Sequence, residues 1–231
     1  MAIGAHIGDA ELTCGKTLAT HSLKGDRIST VAVTAGERGA PPGRCQAEFK
    51  QYNLECAKVF AKALGGKFFY LGYPDGEAQD NENLRLAICD LIRAEKPDVV
   101  LTHWHGTMHK DHRITSYAVA DAMYYAGLRG LERKAADGTA LAQHWARGPY
   151  FAENWEDADG FEPYIYIDVS TGYDLWYEHI QGLWLTNNSP WFEYLGYYDA
   201  LSRQRGICIR KQRAECFDVQ PHAKRVVQEG F

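Results

Sequence analysis

Short apolar runs alternate with longer stretches of helical period along the first two thirds of the chain, the pattern of a parallel α/β sheet. Ile3–Ala5 reads as a short first strand and Ile28–Thr34, rich in β-branched residues, as a second. Between them the spacing predicts one helix from Asp9, as N-cap, to just before Gly25, the expected C′ residue. A loop holding Gly36, Gly39, Pro41, Pro42 and Gly43 leads into a helix that reaches about Leu64 and stops at Gly65-Gly66. Lys67–Leu71 reads as a third strand and Tyr73-Pro74-Asp75-Gly76 as a turn. Leu84, Ile88, Leu91 and Ile92 share one face of a helix over Glu82–Ala94. Asp98–Thr102 is a fourth strand, and a further helix runs from near His112 to about Ala126.

Beyond that helix the periodicity loosens. Tyr164–Val169 alternates as a strand does, helices are expected over about 172–185 and 190–206, and Ala214–Val219 reads as a last strand. Trp176, Trp184, Trp191, Tyr194, Tyr197 and Tyr198 concentrate here, first as core or subunit interface and second as substrate lining. The expected fold class is therefore α/β: a Rossmann-like parallel sheet in 3-2-1-4 order flanked by helices, with an aromatic-rich α/β C-terminal part. No repeat, low-complexity tract or linker interrupts the chain, so residues 1–231 read as a single domain.

Composition narrows the function classes. Of 231 residues, 45% are hydrophobic and 24% charged, which are globular proportions. A net charge of −5 with no basic block argues against nucleic acid or an anionic membrane as the main partner. No run approaches the roughly 18 apolar residues of a membrane span. Met1–His6 lacks the basic and apolar regions of a signal peptide, and the six cysteines contain no C-x-x-C. The expectation is a cytoplasmic protein with reduced thiols. The aromatic C-terminal third also offers apolar surface for a homo-oligomer.

Cys14-Gly15-Lys16-Thr17 imitates the end of a phosphate-binding loop, but Ala10 stands where that motif needs glycine. The stronger signal is histidine. His103, His105, His109 and His112 crowd the exit of the fourth strand with Asp111 among them, and His6 and Asp9 follow the first strand. In a 3-2-1-4 sheet those two strands are neighbours and the strand order reverses between them, so both loops meet over one crevice. His6, Asp9 and His112 then supply two imidazoles and a carboxylate, a donor set suited to a catalytic zinc that keeps a position open.

At these residues the sequence resembles the PIG-L/LmbE family of zinc-dependent N-acetylglucosaminide deacetylases. The family's A-H-P-D-D-x-E stands here as Ala5-His6-Ile7-Gly8-Asp9-Ala10-Glu11, and its H-x-D-H as His109-Lys110-Asp111-His112. Thr34–Gly39 resembles the T-x-G-E-x-G loop, Tyr73–Glu77 a common family turn, and Arg203-x-x-Gly206 with Ala214-Glu215-Cys216-Phe217 the closing elements. The resemblance implies one zinc per chain on His6, Asp9 and His112, although iron, manganese or cobalt would suit the same donors. It implies removal of an acyl group, usually acetyl, from a small amino sugar or sugar-bearing metabolite. It further implies that His109, oriented and kept basic by Asp111, is protonated and stabilises the oxyanion. Glu37, Arg44 and Asp75 lie on loops that could meet the sugar, and Glu11 reads as a loop anchor.

One departure bears on the chemistry. In the family the first Asp of the D-D pair is the general base, and here that position is Gly8, with Ile7 in place of proline. Three readings stay open: another carboxylate, Asp111 or Glu37, serves as base; metal-activated water suffices for an easier substrate or a different reaction; or the chain binds metal and sugar without turnover. On the first two readings, Gly8→Asp is expected to raise amide hydrolysis or leave it unchanged.

Overall fold

The computed structural model describes residues 1–157 and 159–225. Among them the strands are β1 (Ala2–Gly4), β2 (Ser29–Thr34), β3 (Lys67–Tyr73), β4 (Val99–His103), β5 (Arg147–Ala152), β6 (Ile165–Asp168) and β7 (Ala214–Val219). They form one sheet in the order β3-β2-β1-β4-β5-β7-β6. From β3 to β5 every pairing is parallel, and β7 runs antiparallel to both β5 and β6. The expected 3-2-1-4 order therefore holds, and β1 lies between β2 and β4.

The helices are α1 (Asp9–Thr13), α2 (Gly15–Leu23), α3 (Gln46–Ala63), α4 (Glu82–Glu95), α5 (Lys110–Gly127), α6 (Tyr173–Ile180), α7 (Trp184–Asn188) and α8 (Tyr194–Cys208). Strand residues alternate between two cores, as a period of two requires. Ala2, Ala32 and Leu101 face one core with Leu12, Leu18, Phe60, Trp176, Ile180 and Tyr198. Ile3, Val31, Val33 and Val100 face the other, against α4 and α5 through Leu84, Ile88, Val119 and Met123. No helix among the described residues is long and apolar enough to cross a membrane.

Two elements depart from the sequence pattern. β5 has no strand-like run because Gly148 and Pro149 interrupt it. The β4–β5 ladder takes up one extra residue there, passing from Val99↔Arg147 to Leu101↔Tyr150, and so accommodates a proline that cannot donate. The single helix expected from Asp9 is broken at Cys14, and Gly8, not Asp9, is its N-cap. Trp176 causes the break: its indole N–H donates to the Glu11 carbonyl at 2.8 Å, taking an acceptor the helix would otherwise use. Gly15 admits the ring, since a Cβ there would lie 2.5 Å from it. The new helix start is capped from across the fold, the Glu215 carboxylate accepting Lys16 N at 3.2 Å and Thr17 N at 2.8 Å. Lys16, the lysine of the false phosphate loop, is thus buried against Glu215 and under Trp176.

The aromatic C-terminal residues divide. Trp176 and Tyr198 are core, whereas Trp191 is 92% exposed. At the far end of α5, the buried Arg93 donates to the carbonyls of Ala126, Tyr125, Leu128, Leu131 and Leu141, so one guanidinium closes the helix end and the loop after it. Lysine has neither the fork nor enough donors. Arg93→Lys is expected to cost about 2 kcal/mol, read as a lower urea midpoint at unchanged slope.

Candidate metal centre

The polar cluster lies off the carboxyl ends of the parallel strands: His6 and Asp9 follow β1, Glu37 follows β2, Asp75 follows β3, His109 to His112 follow β4, and Glu156 follows β5. The strand order reverses here, at the junction of β1 with β4, and side chains from separate loops converge. His6 Nδ1, Asp9 Oδ2 and His112 Nε2 form a triangle with sides of 3.2, 3.2 and 3.3 Å. Tetrahedral zinc with bonds of about 2.0–2.1 Å holds neighbouring donors about 3.3–3.4 Å apart. The three atoms thus stand where three ligands of one ion would stand, and two ring nitrogens this close can share at most one proton.

The outer nitrogens are held by carboxylates. His6 Nε2 lies 3.2 Å from Asp75 Oδ1 and 3.5 Å from Asp111 Oδ2, and His112 Nδ1 lies 3.0 Å from Glu156 Oε2. None of these contacts has hydrogen-bond alignment, so both nitrogens and Glu156 Oε2 are buried without a hydrogen-bond partner. Such carboxylate–histidine pairs fix the ring and raise its basicity toward a metal. Asp75 is itself fixed by the Arg38 N–H at 2.9 Å, and Asp111 by the Gly76 N–H at 2.8 Å.

Charge tells the same story. Burial pulls His6 down, but Asp9, Asp111 and Asp75 outweigh it and hold the ring well above the ordinary imidazole value. Burial opposes His112 too, yet Asp9 and Glu156 push it up to about 9. Asp9 is buried and still held well below the usual carboxylate range by the facing His112, His6 and His103. In the metal-free chain protons occupy a cavity whose potential calls for a cation, so an incoming ion must displace them.

His103 is not part of this set. Burial and the neighbouring His112 bring it down to about 4, and its Nε2 accepts the Ala5 N–H at 2.9 Å, leaving no lone pair for a metal. His109 caps α5: its Nδ1 accepts the Asp111 backbone N–H at 3.2 Å, so Nε2 is left to carry the ring proton. The expected support of His109 by the Asp111 carboxylate is absent, because that carboxylate faces His6. Burial, with the neighbouring His112 and His6, lowers the His109 pKa instead of raising it. Glu37 Oε1 accepts the Asp75 N–H at 3.1 Å, and its Oε2 is buried without a partner. Arg44 stacks over Tyr52, 4.6 Å from the ring centre, and is not among the contacts of the cluster. Glu156 escaped the sequence reading because nothing in one of several acids over 153–159 announces a partner 44 positions upstream.

Gly8 is more than a missing carboxylate. Its φ is +111°, and a Cβ there would lie 2.3 Å from Leu185 Cδ2 of α7. Gly8→Asp is therefore expected to add no hydrolysis and to destabilise, by about 1–3 kcal/mol for the backbone and about 1–3 kcal/mol for overpacking. Urea unfolding of Gly8→Asp, with and without Leu185→Ala, separates the two. The expectation of a harmless restored base fails on this geometry. Glu156→Gln is expected to weaken metal binding about 10–100-fold, measured by competition with a chelating dye. Unchanged affinity would remove Glu156 from the centre.

A family model described as GlcNAc-PI de-N-acetylase, PIG-L, matches residues 1–123. A 4-oxalmesaconate hydratase of Pseudomonas putida is 22% identical over 218 residues, covering 91% of this chain and 81% of that protein. The structure of GalB, the 4-carboxy-2-hydroxymuconate hydratase from Pseudomonas putida KT2440, superposes with a TM-score of 0.83 at 20% identity, over 100% of this chain and 98% of the other. That of an N,N'-diacetylchitobiose deacetylase from Pyrococcus horikoshii gives 0.81 at 19% identity, over 95% and 82%.

Proposed function

The chain belongs to the PIG-L family, and from that premise we propose that it is a metal-dependent hydrolase that removes an N-acyl group from a small amino-sugar substrate. The observation that carries this reading is the 3.2, 3.2 and 3.3 Å triangle of His6, Asp9 and His112 donors, a set with room for an open position. A divalent ion there, zinc by donor type, would polarise a carbonyl and make water more acidic near neutral pH.

The rest falls to side chains. His109 presents Nε2–H as a neutral donor to the oxygen on which charge develops, its tautomer fixed by the Asp111 N–H. Asp75 and Asp111 hold His6, and Glu156 holds His112. The proton acceptor cannot be residue 8. Of the two carboxylates considered for that role, each anchors one oxygen and leaves the other, Asp111 Oδ1 and Glu37 Oε2, without a hydrogen-bond partner. Asp111 also supports His6 through Oδ2 and has Lys110 Nζ 3.7 Å from Oδ1, so the reading takes Glu37. Glu37 takes the proton from the attacking water and returns it to the leaving amine.

A second reading is addition of water across a conjugated double bond of a carboxylated substrate. It is favoured by Gly8, packed against Leu185 where the family's base would stand, and by the full-length likeness to a hydratase. One experiment tests both: metal-loaded protein is given N,N'-diacetylchitobiose with acetate release followed, and 4-carboxy-2-hydroxymuconate with loss of conjugated absorbance followed. Acetate supports the first reading and loss of absorbance alone the second. Neither, with one ion per chain bound, overturns both.

A further inference from the structure

Tyr194 opens α8, and that helix is held in register against the segment carrying Glu156. Arg205 pairs with Glu153, Tyr198 donates its hydroxyl to Asn154 Oδ1 at 2.5 Å, and Phe192, just ahead of the helix, stacks on Trp155 at 4.4 Å between ring centres. Each step toward the start of α8 is thus a step along 153–155 toward Glu156. Tyr194 lies four positions before Tyr198, on the same helix face and one turn nearer that carboxylate. Its ring meets Phe192 at 70° with centres 4.9 Å apart.

The opposite wall is the loop that carries Asp9. α8 packs against α1, and Tyr194 is half-buried on the core that holds Ile7 and Ala10, the residues bracketing Gly8 and Asp9. Leu185 of α7 covers Gly8 itself. The charges of the centre reach the phenol from both walls. Burial raises it above its ordinary value, Asp9 and Glu156 raise it further, and His6 opposes them. The group is therefore a neutral O–H at working pH, a donor and not a base.

The two tyrosines on this face spend their hydroxyls differently. Tyr198 is buried and its O–H is taken by Asn154, whereas the Tyr194 O–H has no hydrogen-bond partner among the described residues. The start of the helix makes no demand on it, because Glu193 caps that end through its own carboxylate. Gly8 and Leu185 present no polar side chain on this side of the centre. A ring fixed by packing, with an unspent donor in the field of Asp9 and Glu156, is placed for a ligand. We propose that Tyr194 is a further catalytic residue, donating its O–H to the substrate oxygen on which charge develops, as a second donor beside His109. The inference rests on the hydrolase reading above. A donor fixed before reaction holds the charged oxygen more strongly than the neutral carbonyl, so its worth falls on kcat and not on KM.

The test uses full-length, zinc-loaded protein and Tyr194→Phe, which keeps the ring and removes only the oxygen. Acetate release from N,N'-diacetylchitobiose and calorimetric binding of acetohydroxamate, a chelating anion, are read together with metal content and urea midpoint. The expected result is a kcat about 10²–10³-fold lower at unchanged KM, hydroxamate binding about tenfold weaker, and unchanged metal content and midpoint. Lost metal or a lower midpoint makes Tyr194 a structural residue and overturns the proposal. Where the wild type releases acetate, unchanged kcat in Tyr194→Phe overturns it whatever the hydroxamate does. Where the wild type releases none, the hydrolase reading fails and the hydroxamate alone decides. Weaker binding to Tyr194→Phe then supports the donor, and equal binding, or no binding to the wild type, overturns it.

Discussion

His112→Ala is expected to empty the metal centre and abolish turnover together. His112 supplies one corner of the donor triangle and sits 3.3 Å from Asp9 and 3.2 Å from His6. Shared evenly, the roughly 10–16 kcal/mol of four-ligand zinc sites is about 3–4 kcal/mol per donor, or about 10²–10³-fold in affinity. Elemental analysis of the purified variant should find less than a tenth of the wild-type metal, and retention of a full equivalent would overturn the ligand assignment. Metal-free stability changes as well, with a definite sign. The His112 pKa is raised to about 9, above its ordinary value of about 6.5, so its protonated pairs with Asp9 and Glu156 stabilise fully below that lower value. The contribution is lost as pH rises through 9. The loss of stability on replacing His112 in the metal-free protein should therefore be greater at pH 6 than above pH 9.

Glu37→Gln is expected to lower kcat by about 10²–10⁴-fold, the usual worth of a general base. Glutamine keeps an oxygen for the Asp75 N–H, so metal content and urea midpoint should be those of the wild type. A variant with wild-type kcat would leave the water without a side-chain base and favour an easier substrate. Asp111→Asn makes the contrast, because its carboxylate supports His6 and its loss should show first in metal affinity.

The first four strands were legible because each is a short apolar run closed by a turn, and their order followed from the usual 3-2-1-4 winding of a parallel α/β sheet. That order, with the histidines at the exit of the fourth strand, was enough to bring His6, Asp9 and His112 to one crevice. β5 was not legible, since Gly148 and Pro149 break its alternation and the bulge that tolerates them belongs to the pairing with β4. The carboxylate partners were not legible either. Asp111 looks tied to His109 by sequence spacing, but the first turn of α5 carries it toward His6. The helix break at Cys14 and the packing of Leu185 on Gly8 depend on residues more than 150 positions away, Trp176 and Leu185, which no local pattern anticipates.

The cap that Glu215 places on α2 bears on how the chain is made. All three donors have been synthesised by His112, while Glu215, which receives the first amides of α2 and the buried Lys16, comes roughly a hundred residues later, about 5–20 s at ordinary elongation rates. Through that interval the three donors are present without the residue that closes the start of α2.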